Sequence, residues 1–283
     1  MQRLIITALL TALAPVLYAQ EGRFEGPPGL QLYSLRSQFK LKGVARTLDT
    51  VKAFGIKHAE LAGTYNMKPL EFKAELEARG ITAVSGHFPY SAWKVDPEAV
   101  AVQAKELGLK FAGCAWADHK APLDELQARD IVAVFNKAGA ALAKHGITFF
   151  YHLHGFEFQP WKEGRTLADL IISETDPQQV KFQMDVLWIV FPGHDPVKLL
   201  EQYPGRWVSM HLKDLKKGVA TGDLSGKTDV ANDVTLGTGQ MNWPAILSAA
   251  KKAGVQYYFI EDESPVSEAQ IPESMKYLDG VRW

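Results

Sequence analysis

The stretch "MDVLWIVFPGHDPVKLLEQYPGRWVSMHLKD", residues 184–214, carries an acid, Asp185, at the end of one apolar run and an imidazole, His211, at the end of the next. The two runs are strand-like and lie about one βα unit apart. In a parallel sheet that spacing sets the two side chains next to each other on neighbouring strands. The same alternation continues on both sides. Short runs rich in β-branched and aromatic residues are separated by longer amphipathic segments, which is the pattern of βα units and a parallel sheet.

Eight candidate strands follow from Gly29 onward: "GLQLYS", "HAELAG", "ITAVSGH", "LKFAGCAW", "ITFFYHLH", "VKFQMDVL", "RWVSMHLKD" and "QYYFIEDE". Helical patterns such as "GVARTLDTVKAFG", "KPLEFKAELEARG", "PEAVAVQAKELG", "LQARDIVAVFNKAGAALAKHG" and "WPAILSAAKKAG" lie between them, several ending in the glycine that suits a helix C-cap. Eight units in about 255 residues match a (β/α)8 TIM barrel, which typically takes ~250. A doubly wound open sheet would carry a glycine-rich phosphate turn after its first strand, and "GLQLYSLRSQFK" has none. No internal repeat or interdomain linker interrupts the pattern, and "KKGVATGDLSGKTDVANDVTLGTG" reads as one long βα loop. A single barrel domain over residues 21–283 is expected.

The chain has 283 residues, 31 basic against 32 acidic, and no lysine or arginine block. That balance argues against nucleic acid as the main partner, because phosphate backbones need a concentrated basic face. The one cysteine, Cys114, permits neither an intramolecular disulfide nor a zinc-thiolate cluster and reads as a core residue. Residues 1–20, "MQRLIITALLTALAPVLYAQ", have a basic Arg3, an apolar core interrupted by Pro15 and a candidate cleavage point at Ala19. They read as a signal peptide, so export, to the periplasm, is expected, and a soluble mature protein compatible with a homo-oligomer.

Active sites of such barrels lie at the C-terminal ends of the strands. The polar residues there are Glu60, His87, His152 and His154, Asp185, His211 with Lys213 and Asp214, and Glu261 with Asp262 and Glu263. His152, Asp185, His211 and Glu261 come from four consecutive strands. Four inward nitrogen and oxygen donors converging without a cation would leave buried charge poorly paired. A divalent metal removes that conflict, and imidazole with carboxylate suits Mn, Zn, Fe, Co or, less well, Mg. Period-two alternation puts His154 on the same face as His152, so either can be the strand-five ligand while the other contacts substrate; His152 is taken as the ligand. The aromatics Tyr33, Phe88, Trp116 and Trp188 could form an apolar wall at the same end, whereas Trp243, before Pro244, reads as structural.

The ordered motifs "GLQLYSLR", "YHLHGFEF", "MDVLW" with "GHDPVKLLEQYPGR", "HLKD" and "IEDE" resemble the sugar phosphate isomerase/epimerase group of the xylose isomerase-like TIM barrels. The resemblance runs from about Gly29 to the C-terminus. It implies one divalent metal at the barrel mouth, a sugar or keto sugar bound through adjacent oxygens, and proton transfer next to a carbonyl by way of an enediolate. The group's metal ligands, Glu, Asp, His and Glu, fall on His152, Asp185, His211 and Glu261. The chain departs at the first, where well-characterised epimerases place a glutamate that works with the strand-eight glutamate on opposite faces of the substrate carbon. Glu157, five residues on, is a candidate for the missing carboxylate.

The expected catalytic residues are therefore Glu261, Glu157 and Lys213, the last as a positive charge near the developing oxyanion or as a partner of Asp214. Glu60, His87, His154, Trp188 and Trp116 are expected to contact substrate. The expected activity is isomerisation or epimerisation of a free or keto sugar, with elimination from a 3-keto sugar or glycoside as the alternative. A DNA-repair endonuclease on the same barrel is opposed by the neutral charge. A non-catalytic sugar-binding barrel is opposed by the intact Asp185, His211 and Glu261.

Overall fold

The computed structural model describes residues 22–283, so the leader read in residues 1–20 lies outside them. Eight parallel strands close into a ring: β1 (Gly29–Gln31), β2 (His58–Leu61), β3 (Thr82–His87), β4 (Phe111–Cys114), β5 (Thr148–His152), β6 (Val180–Asp185), β7 (Trp207–Leu212) and β8 (Tyr257–Ile260). Closure falls between β1 and β8, where Leu30 pairs with Ile260 on one side and with Ala59 of β2 on the other. The expected (β/α)8 barrel is the fold.

The helices start and stop where local chemistry dictates. Asp96 and Asp124 accept the amides of Ala99 and Gln127 at 3.0 and 2.9 Å, satisfying orphan donors of the following helices Pro97–Leu107 and Glu125–Ala143. Gly108 and Gly254 end their helices in the left-handed conformation that glycine adopts without strain.

Strand alternation separates the two faces of the wall. Phe149 and Tyr151 of β5 pack outward on Phe135 of the Glu125–Ala143 helix, with ring centroids 4.9 and 4.6 Å apart. Phe150 and His152 take the opposite face. Phe150, Phe111 and Phe259 form an apolar cluster with Val84 and Val208, separate from the larger cluster under the helices. Two residues further along the strands come His152 and Glu261, so the interior changes from aromatic to ionisable toward the C-terminal ends.

The segment expected to be one long βα loop, residues 216–239, is not all loop: its Asp233–Val234 pairs with Asp214–Leu215 as a short antiparallel ribbon. Asp214 organises it. Its carboxylate accepts from the amides of Gly237, Gly239 and Met241 and from the Trp243 indole at 2.9 Å, which makes Trp243 the structural anchor expected. Among the described residues no helix is long and apolar enough to cross a membrane.

Candidate metal centre at the barrel mouth

Asp185 closes β6 and caps the short helix Val186–Val190 behind it. Its Oδ1 accepts from the amides of Leu187 and Trp188 at 2.9 and 3.3 Å, which fixes the carboxylate plane. Oδ2 is fully buried and, among the described residues, has no hydrogen-bond partner. It faces His211 Nδ1 at 3.7 Å and His152 Nε2 at 3.9 Å, while His211 Nδ1 is 3.0 Å from Glu261 Oε2. Ligand atoms of Asp185, His211 and Glu261 lie within 4.8 Å of one another.

The protonation balance shows what the arrangement lacks. Burial raises the Asp185 carboxyl above its ordinary value, against the lowering pull of His211. Burial would lower His211, yet Glu261 and Glu60 hold it well above the usual imidazole range, and burial holds His152 well below it. Burial would raise Glu261, but Lys213 and His211 keep it well below the carboxylate range. A buried carboxylate oxygen without a donor, beside two imidazole nitrogens and a second carboxylate, is costly as it stands and fits a divalent cation. His152, Asp185, His211 and Glu261 are the residues that could hold it.

His152 and Glu261 open onto a cavity of about 560 Å³, walled in part by Tyr33, Phe88 and Trp116. Among the described residues no lysine or arginine lines it, while Asp118 and Glu263 do. His154 also faces it. Nδ1 of His154 donates to the Ala115 carbonyl at 3.0 Å, leaving Nε2 as the acceptor, and burial with Lys213 lowers its pKa to about 3. The imidazole is therefore neutral, as is that of His152. His87 borders the cavity too, but Nε2 donates to Gln183 at 3.1 Å and Nδ1 lies 3.5 Å from the Gln31 amide.

Four expectations are corrected. Glu157 is sealed from the cavity: it is fully buried and accepts the Tyr151 hydroxyl at 2.5 Å and the His154 amide, bracing the turn after β5. Glu60 does not reach substrate space; it is fully buried and hydrogen-bonded to His211 Nε2 and Ser85. Trp188 is 4% exposed and stacks behind His154, ring centroids 4.8 Å apart, rather than lining the cavity. Lys213 is buried among Glu263, Glu261 and Asp233, at 2.5, 3.4 and 3.6 Å, and forms no pair with Asp214. Its charge holds those carboxylates instead of lining the cavity.

Gln31, Ser85 and Gln183 were missed. Polar residues inside otherwise apolar strands were the available signal, since Gln183 precedes Asp185, and Ser85 precedes His87, by one strand period.

An eight-stranded parallel barrel with histidine and carboxylate donors at its C-terminal mouth defines the class. The chain belongs to the xylose isomerase-like TIM barrel family, whose model matches residues 48–281. The inosose dehydratase of Geobacillus thermodenitrificans is 28% identical over 132 residues, which covers 44% of this chain and only 43% of that relative. A sugar phosphate isomerase/epimerase from Parabacteroides distasonis superposes with a TM-score of 0.76 at 24% identity, over 95% of this chain and 99% of that one. The IOLI protein with a bound zinc atom superposes at 0.70 with 13% identity, over 90% of this chain and 95% of that one.

Proposed function

We propose that this protein is a divalent-metal-dependent enzyme that removes water from a neutral polyhydroxylated ketone, a keto sugar or keto-cyclitol, beginning with proton removal next to the carbonyl. The observation that carries the reading is the unpartnered Asp185 Oδ2 grouped with His152, His211 and Glu261 at the floor of a cavity bordered by the neutral His154. A cation held there supplies Lewis acidity, lowering the cost of negative charge on a substrate carbonyl oxygen.

The chain's own residues do the rest. His154, its tautomer fixed by the Ala115 carbonyl, takes the proton from the carbon beside the ketone at Nε2, the negative charge that develops on the substrate offsetting the burial that lowers its basicity. The electron pair left on that carbon expels the hydroxyl one carbon further on. His154 returns its proton to that hydroxyl, which departs as water. Trp116 and Tyr33 offer apolar faces to a sugar-like ring. The absence of cationic side chains from the described lining, with Asp118 and Glu263 present, favours an uncharged substrate over a phosphorylated one.

Elimination is preferred to inversion because Glu157, the candidate second carboxylate, is sealed away from the cavity. The similarity to an inosose dehydratase supports the same choice. A second outcome, isomerisation or epimerisation, is favoured by Glu261 and His154 both bordering the cavity, which offers two groups able to handle a proton. Export through the leader read in residues 1–20 belongs to this proposal and would direct the enzyme to free rather than phosphorylated sugars.

The test is incubation of the metal-loaded protein with neutral keto-cyclitols and keto sugars in heavy water. Loss of water to an unsaturated ketone supports dehydration, and deuterium incorporation with an isomeric product supports the second outcome. Neither reaction, in a protein that takes up no metal, would leave a sugar-binding barrel.

A further inference from the structure

Below the candidate metal ligands lies a buried polar layer in which Glu60 is the one group that, when ionised, only accepts hydrogen bonds. Oε1 accepts from Gln31 Nε2 at 2.8 Å and from His211 Nε2. Oε2 accepts from Ser85 Oγ and from Gln183 Nε2 at 2.8 Å. Gln183 spends its other amide hydrogen on Ser209 Oγ at 2.9 Å.

The direction of every bond in the layer follows from this. An ionised carboxylate requires Gln183 to present its NH2 group, so the Gln183 carbonyl must turn the other way. That carbonyl faces His152 Nδ1 at 2.9 Å and His87 Nε2 at 3.1 Å, and both nitrogens must therefore carry hydrogen. A neutral His152 with its proton on Nδ1 has its lone pair on Nε2, the atom facing Asp185 Oδ2. His211, donating through Nε2 to Glu60, has Nδ1 for the cation, the atom facing Asp185 and Glu261.

We propose that Glu60 is a positioning residue that sets the tautomers of both imidazole ligands, His211 directly and His152 through Gln183. The inference rests on the metal site proposed above. Such partners orient a ligating imidazole, raise its basicity and fix which nitrogen is free for the metal. Replacing Glu60 by glutamine keeps the size but puts two N–H donors where the layer has only an acceptor. Gln183 can then turn its amide over, and His152 loses the partner that holds its proton on Nδ1.

The experiment measures the zinc and manganese dissociation constants of the wild type, Glu60→Gln and Ser85→Ala, with long-range proton–nitrogen spectra of the histidine-labelled, metal-free wild type. The expected result is metal affinity lower by roughly tenfold to a hundredfold in Glu60→Gln. Ser85→Ala, which removes one donor to the same carboxylate but leaves its acceptors in place, stays within about threefold of wild type. The spectra should show His152 as the Nδ1–H tautomer. Equal metal affinity in wild type and Glu60→Gln, or His152 as the Nε2–H tautomer, overturns the inference while the metal site stands. A wild type that binds neither metal overturns the site on which it rests. If Glu60→Gln does not fold, the wild-type spectra still decide.

Discussion

Asp185 and His211 are register partners on adjacent parallel strands, with Oδ2 of one 3.7 Å from Nδ1 of the other. The pairing follows from parallel register: both residues occupy the last interior position of their strand, and neighbouring strands meet side by side. Asp185 also caps its own helix, so one carboxylate has an oxygen locked by backbone amides and an oxygen left for the centre.

Removal of any of the three ligands grouped by geometry should empty the centre. Asp185→Ala, His211→Ala and Glu261→Ala are expected to bind zinc or manganese more than ~100-fold more weakly than wild type, beyond the loss typical of an outer-shell partner. Elemental analysis after gel filtration reads this directly. Full metal content in all three variants would refute the centre.

His154→Ala separates chemistry from metal binding. The variant should hold wild-type metal while kcat falls about 10²- to 10⁴-fold, the usual worth of a positioned proton-transfer group. If the metal is lost with the activity, His154 rather than His152 supplies the strand-five ligand.

Glu157 gives the fold a pH dependence. Burial pushes its pKa up to about 7, against the opposing Tyr151 hydroxyl, while an unfolded glutamate stays near 4.5. Between those values the folded state binds more protons than the unfolded state, so stability falls as pH rises through about 4.5 to 7 and is level above. The full drop is on the order of 3 kcal/mol, from roughly 1.4 kcal/mol per unit. Glu157→Gln should remove this part of the slope. Urea midpoints at pH 5 and pH 8 compare the two proteins, and equal differences would show that Glu157 is ionised in both states.

Gly113 tests strand packing inside the barrel. A Cβ there would stand 2.3 Å from the Phe150 carbonyl oxygen and 2.7 Å from its ring, and the carbonyl belongs to the paired strand. Gly113→Ala should cost about 1–3 kcal/mol or more, since overpacking against backbone cannot be relieved by a rotamer change. Chemical denaturation at fixed pH measures it, and an unchanged midpoint would mean that β4 and β5 are not held in this register.

The sequence by itself determined the barrel and which polar residues stand at its strand ends. Eight β-rich runs alternating with amphipathic segments leave few other topologies, and strand ends in such a barrel converge whatever the rest of the chain does. His152, Asp185, His211 and Glu261 were legible for that reason. Tertiary structure alone decided which of the other polar residues meet the cavity and which meet each other. The β2–β3 ladder shifts register between Ala59 and Glu60, and the β6–β7 ladder between Phe182 and Gln183. A one-residue slip reverses the face a side chain takes, and such irregularities leave no mark in a period-two pattern. The extra residues are Val84 and Val208, which join the interior apolar cluster, while Glu60 is hydrogen-bonded to His211 and Gln183 reaches across the interior to join it. Glu157, Trp188 and Lys213 were misplaced by a related cause. Each lies near a strand end in sequence, but the turn that follows the strand, held by contacts with remote residues, sets which way the side chain points.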